Sequence, residues 1–190
     1  KNDSLLAEGP LGPLVSGTTF TCAECGKSAR AVGKLLQCPG IDPNASDQDG
    51  HTPLMAAACR GHARVVEQLL QADGIRVDQQ QYDKGLTALH FAAREGHAEA
   101  VRLLIEVGGA NVNARKFAHR GRGTPLILAC KRNNPKTVRE LLKHRDIDTR
   151  LRNNAGRSAL DVACKRENWS VVEVLAQYEA QKARERQGSA

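Results

Sequence analysis

The sequence contains few aromatic residues: one Trp, two Tyr and three Phe among 190 residues. Yet 41% of the chain is hydrophobic, which is enough to bury a core. Without large rings, that core must consist of Leu, Val, Ala and Ile packed at close range. Such a core is typical of small helices stacked tightly together, and it does not favour a deep ligand pocket.

Long apolar runs are also absent. No stretch of 18 or more apolar residues occurs, so we expect no transmembrane helix and no membrane insertion. The first 17 residues lack the charged and then apolar layout of a signal peptide. The six cysteines do not resemble a disulfide framework, so we expect a reducing compartment, the cytosol or the nucleus. Because the chain starts with Lys1 rather than Met, we expect it to be a piece of a longer protein.

The arrangements that carry catalysis are missing as well. No Ser/His/Asp order, metalloprotease motif or dinucleotide-binding fingerprint is present, so we expect no enzyme activity and no cofactor. Cys22-Ala23-Glu24-Cys25 and Cys38 resemble half of a zinc site, but no second ligand pair follows. We therefore assign these cysteines to packing and expect no metal. Gly26-Lys27-Ser28 lacks the earlier glycine that a phosphate-binding loop requires.

What the chain does contain is an internal repeat. A three-residue anchor occurs at Thr52-Pro53-Leu54, Thr87-Ala88-Leu89, Thr124-Pro125-Leu126 and Ser158-Ala159-Leu160, with spacings of 35, 37 and 34 residues. A weaker copy, Thr18-Thr19-Phe20, lies 34 residues before the first of these. The chain therefore consists of about five similar units.

Positions downstream of the anchors agree as well, counting from the first anchor residue. Five residues on, every unit has an alanine: Ala23, Ala57, Ala92, Ala129 and Ala163. Six residues on, four of the five are small: Glu24, Ala58, Ala93, Cys130 and Cys164. Fourteen residues on, every unit has a valine: Val32, Val66, Val101, Val138 and Val172. Seventeen residues on, every unit has a leucine: Leu35, Leu69, Leu104, Leu141 and Leu175.

This pattern predicts two helices in each unit. The anchor threonine can cap a first helix, and proline suits its first turn, where an N–H is spare. Gly61-His62 and Gly96-His97 mark where that helix ends. The Val and Leu positions indicate a second amphipathic helix, and small residues let neighbouring helices approach closely. Polar stretches such as 44–50 and 153–156 then predict hairpin-like turns.

The anchors, the Gly-His pairs and Val112-Asn113-Ala114 resemble the ankyrin repeat family, whose core motif is T-P-L-H. The resemblance implies an all-α solenoid of stacked helix-turn-helix units over residues 17–177, in which histidines bridge neighbouring units by hydrogen bonds. The first and last units depart most and are expected to be caps. The predicted organisation is a linker over 1–16, units near 17–49, 50–84, 85–121, 122–155 and 156–177, and a C-terminal helix extension or tail over 178–190.

The resemblance also implies a concave groove formed by the turn tips and the exposed side of the first helices. Residues 1–114 contain 10 Lys/Arg and 13 Asp/Glu, whereas residues 115–190 contain 18 and 8, so the groove becomes basic toward its C-terminal end. Candidate partner-binding residues at the turn tips are Gln48, Asp49, His51, Tyr82, Lys84, Leu86, Arg120, Arg122 and Arg157. Those at the ends of the first helices are Arg60, Arg94, Glu95, Lys131, Arg132, Lys165 and Arg166.

Five of these residues, which we call the basic stripe, share an offset of seven or eight residues from their anchors: Arg94, Lys131, Arg132, Lys165 and Arg166. The favoured function is a protein–protein interaction module that binds a partner protein or peptide, and the basic end of the groove favours an acidic partner. The chain would act as an adaptor, a scaffold or a regulatory segment of a larger protein, and as a monomer. Two alternatives stay open: a nucleic-acid-associated or transcription-regulatory module, and the regulatory domain of an enzyme whose catalytic part is elsewhere.

Overall fold

The computed structural model describes residues 29–117 and 121–188. Several predicted features lie outside the described residues: the linker over 1–16, the anchor Thr18-Thr19-Phe20, Cys22, Cys25, Gly26-Lys27-Ser28, and Arg120 in the third turn. All the regular structure in the described ranges is helical.

Each of the four later units contributes a first and a second helix, and the described part of the first unit contributes a second helix. The first helices are α2 (Pro53–Arg60), α4 (Ala88–Glu95), α6 (Pro125–Lys131) and α8 (Ala159–Lys165). The second helices are α1 (Ala29–Leu36), α3 (Ala63–Leu70), α5 (Ala98–Glu106), α7 (Pro135–Leu142) and α9 (Trp169–Gly188). The all-α solenoid predicted from the sequence is confirmed.

The first helices begin where the anchors predict. Thr52 Oγ1 accepts a hydrogen bond from the backbone N–H of Met55 (3.3 Å), and Pro53 occupies the first turn. Thr124 caps α6 in the same way. In α8, Ser158 and Asp161 cap each other's backbone N–H groups reciprocally, which satisfies two donors that the helix itself leaves unpaired.

The first helices end at a residue in the left-handed conformation, nine residues after the anchor. Gly61 (φ 70°) and Gly96 (φ 89°) occupy this position in two units. Asn133 and Glu167 adopt the same conformation, each with φ 57°, in the other two. A side chain with a Cβ is strained there, because the Cβ approaches the following carbonyl oxygen. Glu167 is therefore a local weak point in the last unit.

Replacing Glu167 by Gly should raise the free energy of unfolding by about 1 kcal/mol, since Gly adopts the left-handed region without strain. Urea denaturation monitored by circular dichroism measures the change. Arg166→Gly is the matched control, because Arg166 has φ −100° and gains nothing from Gly. Equal effects of the two variants would contradict the assignment of strain to Glu167.

The helices form two layers. The first helices α2, α4, α6 and α8 lie side by side in one layer, and the second helices lie side by side in the other. The alanines five residues after the four described anchors, such as Ala92, are buried. The repeated valines of the internal units, such as Val101, are also buried, and both sets belong to helices that contact their counterparts in adjacent units. Each unit therefore completes its core against its neighbours.

Ala92→Leu should lower the free energy of unfolding by roughly 1–3 kcal/mol, because added methylene groups overpack a closed contact. Ala176→Leu is the matched control. Ala176 is exposed on α9, at the position that Leu70, Ile105 and Leu142 occupy in the other units. We expect the control to change stability by no more than about 0.5 kcal/mol. An unchanged urea midpoint for Ala92→Leu would contradict the alignment of the units.

The last unit differs at the face that would meet a further unit. Asp161 and Cys164 are exposed, whereas their counterparts in the preceding units, such as Met55 and Ala93, are buried. The helix α9 has 20 residues, against eight or nine in the fully described second helices before it. Its Tyr178 packs against the core and lines a shallow pocket together with residues 143–145, which follow α7. Asp161 thus gives this end of the stack a polar surface.

Candidate partner-binding surface

The hairpin-like turns of neighbouring units are hydrogen-bonded to one another along one edge of the stack. The N–H of Tyr82 donates to the carbonyl of Asp49 (3.2 Å), and the N–H of Phe117 donates to the carbonyl of Lys84 (3.0 Å). The N–H of Asn154 donates to the carbonyl of Gly121 in the next pair (3.4 Å). These backbone bonds recur at a constant spacing, so the turn tips form a continuous row.

Within the described part of this row, Tyr82 presents a large apolar side chain to solvent, with 61% of it exposed. Its ring covers Gly50, where an added Cβ would lie 2.7 Å from Tyr82 Cγ. Its hydroxyl oxygen lies 2.9 Å from Ser46 Oγ. Phe117 covers Gly85 in the next turn in the same way. The exposed ring of Tyr82 is therefore held in place by the preceding turn.

The structure corrects the prediction for Leu86. Leu86 is only 4% exposed and belongs to the hydrophobic core, so a partner cannot reach its side chain. Its neighbours in the row differ in their accessibility. Gln48, Asp49, Lys84 and Arg122 are exposed, whereas His51 and Arg157 are half-buried.

Asp47, Asp49 and His51 place their ligand-type atoms within 4.8 Å of one another. The turn itself explains this grouping. Asp47 Oδ1 accepts hydrogen bonds from the backbone N–H groups of Asp49 (3.0 Å) and His51 (2.8 Å). The ring of His51 also lies 5.6 Å from that of Phe91. These contacts serve turn formation, and the three residues carry no argument for a metal site.

The first helices expose their C-terminal ends. In α4, Arg94 Nε lies 2.6 Å from Glu95 Oε1, and the guanidinium carbon of Arg94 lies 5.1 Å from the ring centroid of Phe91. Arg94 is therefore neutralised by its neighbour and contributes little free charge to the basic stripe. In α2 the corresponding positions are Cys59, which is half-buried, and the exposed Arg60.

The positive charge of the stripe is concentrated at the ends of α6 and α8. Among the described residues, no carboxylate forms an ion pair with any of four exposed cations. Helix C-termini favour cations, because the last carbonyl groups carry partial negative charge. We call these four residues the α6–α8 cation cluster: Lys131, Arg132, Lys165 and Arg166.

Side chains ten residues after the anchors fix the ends of neighbouring first helices relative to one another. His97 Nε2 lies 3.1 Å from the carbonyl oxygen of Cys59. Asn134 Nδ2 donates to the carbonyl of Arg94 (3.0 Å), and Asn168 Nδ2 donates to that of Cys130 (2.7 Å). The sequence prediction of bridging histidines holds for His97, but it missed the two asparagines. The sequence did contain a signal for them, because Asn134 and Asn168 lie ten residues after their anchors, as His62 and His97 do.

His90 makes a second kind of bridge. The N–H of Thr87 donates to His90 Nδ1 (3.2 Å), so the ring proton lies on Nε2 and donates to the carbonyl of Gly123 in the next unit (3.2 Å). Burial lowers the pKa of His90 to about 4, and the charge of Lys116 adds to this effect. The hydrogen bond to Gly123 acts in the opposite direction. His90 is therefore neutral in the folded protein at neutral pH.

Because the pKa of His90 is lower in the folded than in the unfolded state, the unfolded state binds more protons between pH 6.5 and 4. The free energy of unfolding should fall by roughly 3 kcal/mol across this window as the pH decreases. Urea denaturation at several pH values measures the slope. The variant His90→Met introduces the residue that α2 has at the same offset, Met55, and should reduce the slope of the free energy of unfolding against pH. The control His97→Asn should leave this slope unchanged. An unchanged slope in His90→Met would contradict this role.

Comparison with known proteins agrees with this architecture. The family model described as "Ankyrin repeats (3 copies)" matches residues 20–116 and 117–186. The chain belongs to the ankyrin repeat family. It is also 34% identical over 89 residues to a Plasmodium falciparum (isolate 3D7) protein named "Putative E3 ubiquitin-protein ligase protein PFF1365c". That alignment covers 46% of this chain and 1% of the relative, so the chain spans only a small part of that protein.

Ankyrin repeats are generally protein–protein interaction modules, and the fold is typically non-catalytic. None of the helices within the described ranges is both long and apolar enough to cross a membrane.

Proposed function

We propose that this ankyrin stack binds an acidic segment of another protein, with the α6–α8 cation cluster as its main contact. The observation that carries the proposal is the charge distribution of the exposed helix ends. Two adjacent first helices present four cations that form no ion pair with described carboxylates, while the preceding helix α4 neutralises its own arginine. A carboxylate-rich partner would complement this surface.

The rigidity of the surface supports the proposal. The cations stand on helix ends that Asn134 and Asn168 tie to the neighbouring unit. The turn tips are joined by backbone hydrogen bonds. A surface that is already ordered loses little entropy on binding, so modest electrostatic contacts yield a measurable affinity. Exposed Tyr82 adds an aromatic contact at the turn tips.

The similarity to the Plasmodium falciparum protein is consistent with a recognition role within a larger chain. The relative's name describes a ubiquitin ligase, but the matched 89 residues are about 1% of its length. The similarity therefore supports a repeat segment that selects partners, and it supports no ligase chemistry in this chain.

The double charge reversal Arg132→Glu with Lys165→Glu should weaken binding of a fluorescein-labelled glutamate-rich peptide about tenfold. Both side chains are exposed but stand at helix C-termini, which favour cations, so the free energy of unfolding should fall by no more than about 1 kcal/mol. Binding by the unaltered protein should also weaken as salt rises, because screening acts over about 10 Å at 0.1 M ionic strength. Fluorescence anisotropy measures the affinity.

The matched control is Lys136→Glu with Arg139→Glu, which makes the same change in net charge on the other layer. Both residues are exposed on α7, and the control should bind the peptide as the unaltered protein does. Equal losses in the two double variants would mean that net charge, and not this surface, governs binding. Stronger binding of duplex DNA than of the peptide would favour a nucleic-acid partner instead.

A further inference from the structure

In the internal helices α4 and α6, the exposed part of the first helix is a narrow band. In α4 and α6, every residue before the last turn is buried, including Phe91 and Leu128. In these two helices accessible positions begin seven residues after the anchor, whereas α8 also exposes Asp161 and Cys164 on the face that no described unit covers. The band is thus about one helical turn, or roughly 5 Å, wide on α4 and α6. A partner helix, about 10–12 Å in diameter, would extend beyond such a band, whereas a single extended chain matches its width.

The cations recur along this band with the period of the stack. Contacting helices lie about 8–10 Å apart, so the pair Lys131 and Arg132 and the pair Lys165 and Arg166 are separated by about that distance. A polyproline II chain has three residues per turn and rises about 3.1 Å per residue. Residues three apart in such a chain lie on the same side, roughly 9 Å from one another. This spacing matches that of the two cation pairs.

The series of cations on α8 and α6 that are unpaired with described carboxylates does not continue on the next helix, α4. In α4 the ion pair between Arg94 and Glu95 leaves no free charge at the corresponding positions. A third acidic residue in the partner would lie beside Glu95 there and would add little to the binding free energy. The charges along the band therefore favour a partner segment with two acidic residues over one with a long acidic run.

We infer that the partner segment is extended, in the polyproline II conformation, and carries two acidic residues three positions apart, one for each helix of the α6–α8 cation cluster. This inference rests on the proposed function and specifies the partner of the same surface. Proline at the intervening positions is compatible with binding, because it favours this conformation and no backbone N–H of the segment is needed.

Three fluorescein-labelled peptides of identical composition test the spacing. Each contains two glutamates in a Pro- and Ser-rich chain, at positions i and i+2, i and i+3, or i and i+4. A fourth peptide has glutamine at both positions. We expect the i and i+3 peptide to bind about fivefold more tightly than the other two acidic peptides in fluorescence anisotropy, since only it reaches both cation pairs at once.

Two double variants of the protein test which cations contact the two glutamates of the peptide. Lys165→Ala with Arg166→Ala should abolish the advantage of the i and i+3 peptide, because one glutamate then has no cation to meet. Lys136→Ala with Arg139→Ala on α7 is the control and should preserve that advantage.

The outcomes separate this inference from the proposed function. If all three acidic peptides bind alike, and more tightly than the glutamine peptide, the spacing inference is overturned while the acidic-partner proposal stands. Tighter binding of a helical peptide with glutamates seven positions apart would likewise overturn the extended conformation. If no acidic peptide binds better than the glutamine peptide, the proposed function fails as well.

Discussion

Close contact between small side chains is the constraint on which the rest of this structure depends. Ala92, Ala93, Ala129 and Cys130 are fully buried in first helices that contact one another from unit to unit, and larger residues there would overpack the core. Because no unit can bury its faces alone, stability comes from each interface between neighbours. The scarcity of aromatic residues follows from the same constraint, since such narrow spacing leaves room for few rings.

Stacking also determines which positions remain available for function. Most of each internal first helix is occupied by contacts with the neighbouring units, and only its last turn and the turn tips stay accessible. Residues that do not contribute to packing can vary there without loss of stability. This explains how four cations accumulate at the ends of α6 and α8 while the buried positions keep repeating Ala, Val and Leu.

Side chains that bridge units turn this stack into an ordered surface. His97, Asn134 and Asn168 each bond to a carbonyl near the end of the preceding first helix. His90 bonds to Gly123 in the following unit. The first three bonds reach carbonyl groups near helix ends, and all four bonds hold neighbouring units in register. The spacing between the cation pairs is therefore a property of the stack.

The sequence by itself determined the number of helices per unit, their first turns and their buried positions, because these depend on contacts that recur in every unit. Agreement at fixed offsets, as for Ala57, Ala92, Ala129 and Ala163, was enough to predict them. Only the tertiary structure decided the properties that occur once. Leu86 is buried although it follows a turn tip, and Glu95 neutralises Arg94 while Lys131 and Arg132 stay unpaired with described carboxylates. A repeat pattern cannot distinguish such cases, because burial and ion pairing at one position depend on the particular side chains that the folded chain places around it.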